Sequence, residues 1–466
     1  MENFEPKVTY DVFSNFKNPN VNIKLYSPGA LNFSYFDECA PNQQSESSSV
    51  VAAASAFKIL TFANRESVEN SEVGGEQNLG KYRSVVFFNN KLVCFSPPKS
   101  IKKEIFIRKH PEEFSYEPSV NQIPETICIT ETIEGTMINL FYDFHNKTWE
   151  IATKNAIGGR YWYFSRPDKN DATKPRTFRD MFMDAIGEKD FVNLNQTLLV
   201  SKLPKNYCYS FVLQHPENHI VLDIVEPRVY LVAVYEICES RAKYLPLPYV
   251  ENLPYIRELL DANIIYTPTT IQYSEHLHHS ERKVATFDQS LGERGFAQSP
   301  RNYVQLELHL NYCASYSHMM GLTLIDTETG DRMKLENQQY NYKKSLRGNH
   351  PNLQYQYLCL LRIQKIPEFL KYFPIYREHF DRFNTQFEQF VNTIQTTYYM
   401  WYVKKQKDVE FSKHIMYFVR RIHYEVFVPS LNGGMQRTIV TKAVVKDWLI
   451  NTFNPGSIMY GMRQEN

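Results

Sequence analysis

The spacing of hydrophobic residues changes once along this chain, and the change constrains the fold more than any other feature. Upstream of Leu353, apolar and polar residues alternate in short runs such as "TMINLFYD". Downstream they recur at i, i+3, i+4 and i+7, as in "IPEFLKYF" and "KHIMYFVRRI". Alternation is typical of half-buried strands, and the longer repeat is typical of amphipathic helices. The sequence therefore predicts an α+β region followed by an all-helical region.

Turn residues between the alternating runs predict a series of β-hairpins. An Asn-Asn pair interrupts "YRSVVFFNNKLVCFSPP", "HNK" interrupts "TMINLFYDFHNKTWEIATK", and "TETGD" interrupts the last β unit. Helices are predicted over 174–190 and near 251–263. We predict three regions: an N-terminal extension over 1–56, an α+β domain over 57–352 and an all-helical C-terminal domain over 353–466.

The composition is that of a folded chain with no dominant charge. The 466 residues are 43% hydrophobic and 22% charged, which excludes a disordered chain, and the length suits two or three domains. The formal net charge of +1 means that a nucleic-acid surface has to be a local basic patch. We expect most of the 32 tyrosines and 31 phenylalanines to lie in cores rather than to stack on bases.

Cysteine usage favours a reducing compartment. The seven cysteines are scattered, odd in number and never spaced as Cys-x-x-Cys. The run "EHLHH" over 275–279 and Cys313 contain zinc-ligand residue types, but no second ligand pair has finger spacing, so we predict no metal site. No signal peptide or membrane-length apolar run is present. We therefore expect a cytoplasmic protein, in the host cytoplasm or in a virion.

The segment "CITETIEGTMINLFYD" has the outline of a nucleotidyltransferase active-site turn, with an acid-glycine pair before an alternating strand. One further segment precedes it, "KYRSVVFFNNKLVCFSPPKSIKKEIF". Three others follow it in order: "WEIATKNAIGG", "FVLQHPENHIVLDIVEPRVYLVAVYEI" and "MMGLTLIDTETGDRMKLENQQY". Together, over about 57–345, they resemble the covalent nucleotidyltransferase domain of ATP-dependent RNA ligases, closest to the phage tRNA-repair (RnlA) type. The sequences of these segments also resemble those of RNA-ligase-like proteins of large cytoplasmic DNA viruses.

The resemblance implies a fold and a reaction. It implies an ATP-grasp-like ligase domain with two antiparallel sheets flanking a cleft, followed by an all-helical C-terminal domain. Ligases of this kind attack the α-phosphate of ATP with a lysine amine, and Mg²⁺ and basic side chains stabilise the charge on the phosphates. Carboxylates in the third and fourth motifs hold the ribose and the metal.

Three positions that match this machinery carry residues unable to perform it. Thr132 stands where the family has the nucleophilic lysine, and a threonine hydroxyl needs an adjacent base to be nucleophilic. Val212 and Met320 stand at the third-motif and fourth-motif carboxylates. Glu131 and Glu134 can help a metal but cannot replace an amine. We therefore expect no catalytic residue here and no required cofactor, with ATP and Mg²⁺ needed only by a residual ligase activity.

The basic positions of the family are retained. Five cations match basic residues of the family's Arg-Gly strand, its proline segment, the strand after the nucleophile and the fifth motif: Arg83, Lys99, Lys154, Arg332 and Lys334. If the fold is that of the family, they converge on one site and bind nucleotide or phosphate. Ordinary solvated charges at strand ends are the alternative. Lys99 or Lys154 also offers a relocated nucleophile.

Two further stretches are candidates for RNA contact. "YNYKKSLRGNHPN" places Lys343, Lys344 and Arg347 among tyrosines, and the amphipathic helix "KHIMYFVRRIHYEVF" carries Arg420 and Arg421. In the ligase family the helical domain contributes to tRNA recognition, which favours RNA contact here.

Three functions remain open on the sequence. The first is a degenerate ligase that binds structured, tRNA-like RNA, and the second is a working ATP-dependent RNA ligase with a relocated lysine. The third is a protein component of a viral transcription or virion assembly, with viral RNA polymerase or other viral proteins as partners.

Overall fold

Antiparallel strand pairing organises the larger of two units in the computed structural model, Met1–Asn341, and helices form the other, Tyr342–Asn466. The structure describes residues 5–14, 21–26, 57–62, 79–114, 121–161, 176–188, 193–271, 302–312, 319–348, 350, 352–406, 409–432 and 438–463. The strands are β1 (Thr9–Asp11), β2 (Val21–Tyr26), β3 (Phe57–Phe62), β4 (Val85–Phe88), β5 (Lys91–Phe95), β6 (Glu113–Phe114), β7 (Asn121–Gln122), β8 (Ile127–Glu131), β9 (Thr136–Asp143), β10 (Thr148–Ala152), β11 (Tyr207–Gln214), β12 (Arg228–Cys238), β13 (Arg241–Leu245), β14 (Thr270–Ile271), β15 (Gly321–Asp326) and β16 (Arg332–Glu336).

Helices of the first unit are short. They are α1 (Lys103–Lys109), α2 (Phe178–Ala185), α3 (Leu198–Lys202), α4 (Leu247–Val250), α5 (Pro254–Asp261) and α6 (Tyr303–Tyr312), with 3₁₀ turns at Leu79–Lys81 and Leu194–Gln196. Helix α7 (Gln338–Arg347) begins at the end of the first unit and continues into the second.

A six-stranded sheet in the order β1-β13-β12-β11-β9-β10 is covered on both faces. One face packs its apolar residues, such as Leu140 and Phe211, against helices α2, α3 and α5. The other face carries Ala233 and Tyr235, which pack against the four-stranded sheet β2-β3-β4-β5. Burial on both faces explains why β11 is apolar at successive positions rather than strictly alternating.

A second four-stranded sheet, β14-β8-β15-β16, has one apolar and one mixed face. Ile129, Leu322 and Met333 lie in a core with Phe106 of α1 and Leu306 of α6. Because successive side chains of a strand point to opposite faces, the residues between them form the other face. That face contains the threonines described below.

The second unit is helical in the residues that the structure describes. Its helices are α8 (Leu353–Arg362), α9 (Ile366–Tyr372), α10 (Arg377–Tyr398), α11 (Lys413–Ile422), α12 (Val428–Asn432), α13 (Lys442–Thr452) and α14 (Pro455–Arg463). A 3₁₀ turn spans Pro374–Tyr376, and π-helical turns follow α10 at Tyr399–Val403 and α11 at His423–Phe427. Apolar residues at helical spacing, including Phe383, Phe387, Phe390 and Ile394 of α10, fill its core.

The predicted fold class, α+β with antiparallel sheets and a helical C-terminal region, is confirmed. The Asn-Asn hairpin is also confirmed, because Asn89 and Asn90 both adopt positive φ angles (47° and 63°) between β4 and β5. Such a pair is typical of a two-residue hairpin turn. The described residues form three sheets of four or more strands, where the sequence predicts two.

Some predictions stay untested. The domain limits at 56 and 352 stay predictions, and most of the predicted extension over 1–56 lies outside the described residues. The run over 275–279 and Cys313 lie outside them too. Within the described part of the chain, no helix combines the length and apolar character needed to cross a membrane.

The helical core generates the first prediction. Ile394 is fully buried in α10, whereas Ile439 is 76% exposed. We expect Ile394→Ala to lower the free energy of unfolding of the helical unit by about 2–5 kcal/mol, because apolar burial decreases and a cavity forms. The matched Ile439→Ala should change it by less than about 0.5 kcal/mol. Urea denaturation followed by circular dichroism measures both, and equal effects would contradict the assigned core.

Candidate functional site

Thr132 lies just beyond β8, at the start of the turn into β9, and its polar groups bond to β15. Its N–H donates to the Gly321 carbonyl (2.8 Å), and its Oγ1 lies 2.7 Å from the Oγ1 of Thr323. Both threonine side chains are buried. A threonine pair contains no base that can activate either hydroxyl. The arrangement therefore holds the start of this turn against β15.

Glu134, two residues on, is 2% exposed, and its carboxylate accepts hydrogen bonds from four donor groups. Backbone N–H groups of Ile220, Val221 and Leu222 donate to it at 2.6, 3.0 and 3.1 Å. The hydroxyl of Tyr340 donates to Oε2 at 2.7 Å. Burial first, and then the charge of Glu134, raise the pKa of Tyr340, so the hydroxyl remains a donor. These bonds commit the carboxylate to the fold rather than to a metal.

The turn itself requires a glycine. Gly135 has φ of +152°, and a Cβ there would lie 2.3 Å from the Leu213 carbonyl oxygen and 2.8 Å from Cγ1 of Val212. Val212 is buried, so its methyl groups pack at the position where the motif resemblance predicts a carboxylate. At the other replaced position, the Met320 carbonyl accepts a backbone bond from Asn337 (3.1 Å).

The side chains of Val212 and Met320 contain no oxygen atom that could bind a metal ion. Among the residues that the structure describes, no group of three or more His, Cys, Asp or Glu side chains could hold a metal ion.

Lys334 lies next to the threonine pair. Strand register places Lys334 of β16 opposite Thr323 of β15, and Thr323 opposite Thr130 of β8. Directly opposed residues on neighbouring strands have Cβ atoms about 5 Å apart. The lysine, Thr323 and Thr132 are therefore neighbours on one face of the sheet.

A hydrogen bond joins the backbone segments that carry two other predicted cations, Arg83 and Lys154. The Ser84 hydroxyl donates to the Thr153 carbonyl at 3.3 Å. Arg83 precedes Ser84 and Lys154 follows Thr153, so the two cations lie on adjoining backbone segments. Lys154 is exposed, and Arg83 is half-buried.

A second set of backbone bonds joins the remaining two cations. The Lys99 N–H donates to the Gly80 carbonyl (3.0 Å), and the Ile101 N–H donates to the Arg332 carbonyl (2.8 Å). The segment that carries Lys99 thus runs along the free edge of β16. The Nε of Arg332 is buried and has no hydrogen-bond partner among the described residues. The five predicted phosphate-binding cations lie on neighbouring segments, and their role stays a prediction.

The predicted RNA-binding residues of α7 differ in exposure. Lys344 is exposed, and the Nζ of Lys343 lies 5.6 Å from the ring centroid of Tyr372. Arg347 is only 5% exposed, with its guanidinium 5.3 Å from the ring centroid of Tyr376. Burial gives Arg347 a packing role within the helical unit. The surface available to a polyanion on this helix is therefore that of the two lysines.

The paired arginines of α11 also separate. Arg420 is exposed. Arg421 is half-buried, forms an ion pair with Glu425 (2.6 Å) and lies over the ring of Phe453. Because the helix turns about 100° per residue, the two guanidinium groups occupy different surroundings.

The near-neutral total charge conceals two oppositely charged units. Residues 342–466 contain 18 Lys and Arg against nine Asp and Glu, a formal charge of +9. Residues 1–341 contain 34 against 42, a formal charge of −8. The total of +1 does not reveal this division, although the charges on each side of residue 342 do.

The sequence patterns do not predict the role of Tyr340, because none of them links this tyrosine to a glutamate 206 residues away.

Comparison with known proteins supports an RNA-ligase-like relationship. No protein-family profile matches the chain. Over 109 residues it is 25% identical to the RNA ligase of Rhodothermus phage RM378, a match that spans 23% of this chain and 23% of the phage protein. This relative agrees with the resemblance seen in the motifs. The viral origin of the chain stays a prediction.

Solved structures show a remote likeness of the backbone. A mutant Naegleria gruberi RNA ligase with ATP and Mn is 10% identical, with a TM-score of 0.31 over 60% of this chain and 70% of that one. An archaeal ATP-dependent RNA ligase is 10% identical, with a TM-score of 0.34 over 84% and 80%. Scores at this level support no conclusion about chemistry.

The Glu134 hydrogen bonds generate the second prediction. We expect Glu134→Gln to lower the free energy of unfolding by about 1–3 kcal/mol, because a buried charge-assisted network loses its charge and one acceptor. Tyr340→Phe should cost less, and the double variant should show a coupling energy of about 0.5–3 kcal/mol. Chemical denaturation measures all three.

The control variants make the same two kinds of substitution, Glu to Gln and Tyr to Phe, at other positions of the chain. Glu226→Gln and Tyr312→Phe alter the same residue types at exposed positions and should be nearly neutral. Additive effects of Glu134→Gln and Tyr340→Phe would contradict a shared network.

Proposed function

We propose that this chain is an RNA-ligase-like protein that no longer forms a lysyl-AMP and binds structured RNA through its helical unit. The observation that carries the proposal is the formal charge of +9 on residues 342–466. A polyanion releases counterions when such a surface neutralises its phosphates, which favours binding without base-specific contacts. Tyrosines interleaved with the cations suit RNA, whose unpaired bases stack on aromatic rings.

Three positions support the proposed loss of adenylylation. The Thr132 hydroxyl bonds to another threonine, Val212 packs on a glycine turn, and Met320 supplies only its backbone carbonyl. Glu134 is engaged by four donors. The neighbouring cations, no longer serving ATP chemistry, would contact phosphates of the RNA backbone. A tRNA-like ligand and viral protein partners extend this proposal.

A working ligase with a relocated nucleophile is the second candidate. Strand register favours Lys334, since it adjoins Thr323 and through it Thr132. Lys99 and Lys154 are the sequence-based alternatives. In such an enzyme the lysine Nζ bonds to the α-phosphorus of ATP and pyrophosphate leaves.

The third prediction separates these candidates. After incubation with ATP and Mg²⁺, and in parallel with GTP, we expect intact-protein mass spectrometry to show no covalent nucleotide adduct. A lysine-linked AMP mapped to Lys334, Lys99 or Lys154 would contradict the proposal and establish the ligase. Thr132→Lys restores the family residue at the turn and should also form no adduct, because the two motif carboxylates remain absent.

The fourth prediction concerns RNA affinity. Reversing Lys343, Lys344 and Arg420 to glutamate should weaken binding of a folded tRNA. The slope of log affinity against log salt should fall by about one for each RNA phosphate that the variant no longer neutralises. Fluorescence anisotropy over a salt series measures both quantities.

The matched control reverses three exposed cations of the first unit, Lys91, Lys147 and Arg241, and changes the total charge equally. We expect it to leave the affinity and slope close to those of the unmodified protein. Equal effects of the two triple variants would show that total charge, rather than the helical unit, governs binding.

A further inference from the structure

The helical unit contains a cavity of about 620 Å³ that the motif resemblance does not account for. It lies between α11 and the junction of α13 with α14. A volume of this size accommodates a small molecule or a single nucleotide. The residues that line it are His414, Tyr417, Phe418, Arg421, Thr452, Phe453, Asn454, Gly456, Ser457 and Tyr460.

Aromatic rings form much of the wall. Phe418 and Phe453 are buried, and their ring centroids are 5.2 Å apart. Tyr417 and Tyr460, in contrast, are 51% and 60% exposed. Exposing large rings beside a cavity costs burial energy that the helical core could have gained. Their position provides flat surfaces on which another ring system can stack.

Arg421 is held in a fixed position in this wall. Its Nη1 donates to the Tyr417 hydroxyl (3.1 Å), its Nε donates to Glu425 (2.6 Å), and its Cζ lies 4.6 Å from the Phe453 ring centroid. Glu425 also accepts a bond from the indole of Trp448 (3.0 Å). Because protein groups occupy these donors, the guanidinium offers mainly its plane, which suits stacking better than phosphate chelation.

Polar groups on the cavity lining can form hydrogen bonds with the edge of a base. The His414 Nε2 lies 3.1 Å from the Gly461 carbonyl, which can only accept, so Nε2 donates that bond. The Asn454 Oδ1 accepts from the Ser457 N–H (2.8 Å). The Asn454 amide nitrogen and the Ser457 hydroxyl add donors.

A close helix approach maintains this geometry. A Cβ on Gly461 would lie 2.7 Å from Cζ of Phe390 and 3.2 Å from Cζ of Phe418. Only a glycine lets α14 approach α10 and α11 this closely. The bond from His414 to the Gly461 carbonyl depends on that approach.

We propose that this cavity binds one unpaired nucleotide of an RNA, with its base against the aromatic wall. The proposal rests on the proposed RNA-binding function and names the part of the RNA that is recognised. Charge complementarity selects the occupant, since the surrounding unit carries +9 and exposed Lys413 and Arg420 adjoin the lining residues His414 and Arg421. An unpaired base brings the flat ring and hydrogen-bonding edge that the lining matches, and its phosphates meet the cations.

The fifth prediction uses the full chain and two RNA probes. One is a hairpin with 2-aminopurine at a loop position, and the other is the fully paired duplex of the same stem. Tyr460→Ala should weaken hairpin binding about tenfold, the size of one base–aromatic stack, and should remove the fluorescence change of 2-aminopurine. Duplex binding should stay unchanged.

Matched variants separate stacking from folding and charge. Tyr460→Phe keeps the ring and should bind as the unmodified protein does, and so should Tyr424→Ala, which removes an exposed ring outside the lining. Arg421→Gln should reduce hairpin affinity and the fluorescence change together. Arg420→Gln removes the same charge outside the cavity and should weaken hairpin and duplex alike, with the fluorescence change intact.

The outcomes for the cavity and for RNA binding are distinct. The cavity proposal would be overturned if Tyr460→Ala and Arg421→Gln left hairpin affinity and the fluorescence change unaltered while the charge-reversal variant was still impaired. The RNA-binding function would then remain. Binding of neither RNA by the unmodified protein would overturn both. Equal weakening of hairpin and duplex binding in Tyr460→Ala would also overturn the cavity as a site for unpaired bases.

Discussion

The carboxylate of Glu134 is removed from water, and the first unit is arranged so that this charge is satisfied. A buried ion is costly unless hydrogen bonds replace its hydration. Here the donors come from two distant parts of the chain: three consecutive amides at 220–222 and the hydroxyl of Tyr340. The turn after β8 is thereby tied to the segment after β11 and to α7. Loss of any one donor leaves the others around an incompletely solvated charge.

That structural use of Glu134 decides the chemistry of the turn. The glycine beside it allows β11 to approach the backbone closely, and Val212 fills the remaining space. The side chains around the turn bond or pack with one another. The five predicted cations lie on neighbouring segments, and phosphate binding by them stays a prediction.

Charge is distributed unevenly between the two units, and the distribution bears on function more than the total does. A net charge of +1 on the whole chain would ordinarily argue against nucleic-acid binding. The division into −8 and +9 at residue 342 instead gives a basic helical unit with aromatic residues at its surface.

The sequence by itself determined the elements. Alternation and turn residues predicted the hairpins β4–β5, β9–β10 and β15–β16, and the helical repeat predicted the C-terminal unit, because both signals arise from interactions local in the chain. It also predicted that Thr132, Val212 and Met320 replace ligase residues, an assignment that stays a prediction. Tertiary structure alone decided that Tyr340 bonds to Glu134, that Arg347 is buried while Lys344 is exposed, and that α11 and α14 line an open cavity. These depend on side chains brought together from distant positions, and hydrophobic periodicity carries no information about such pairings.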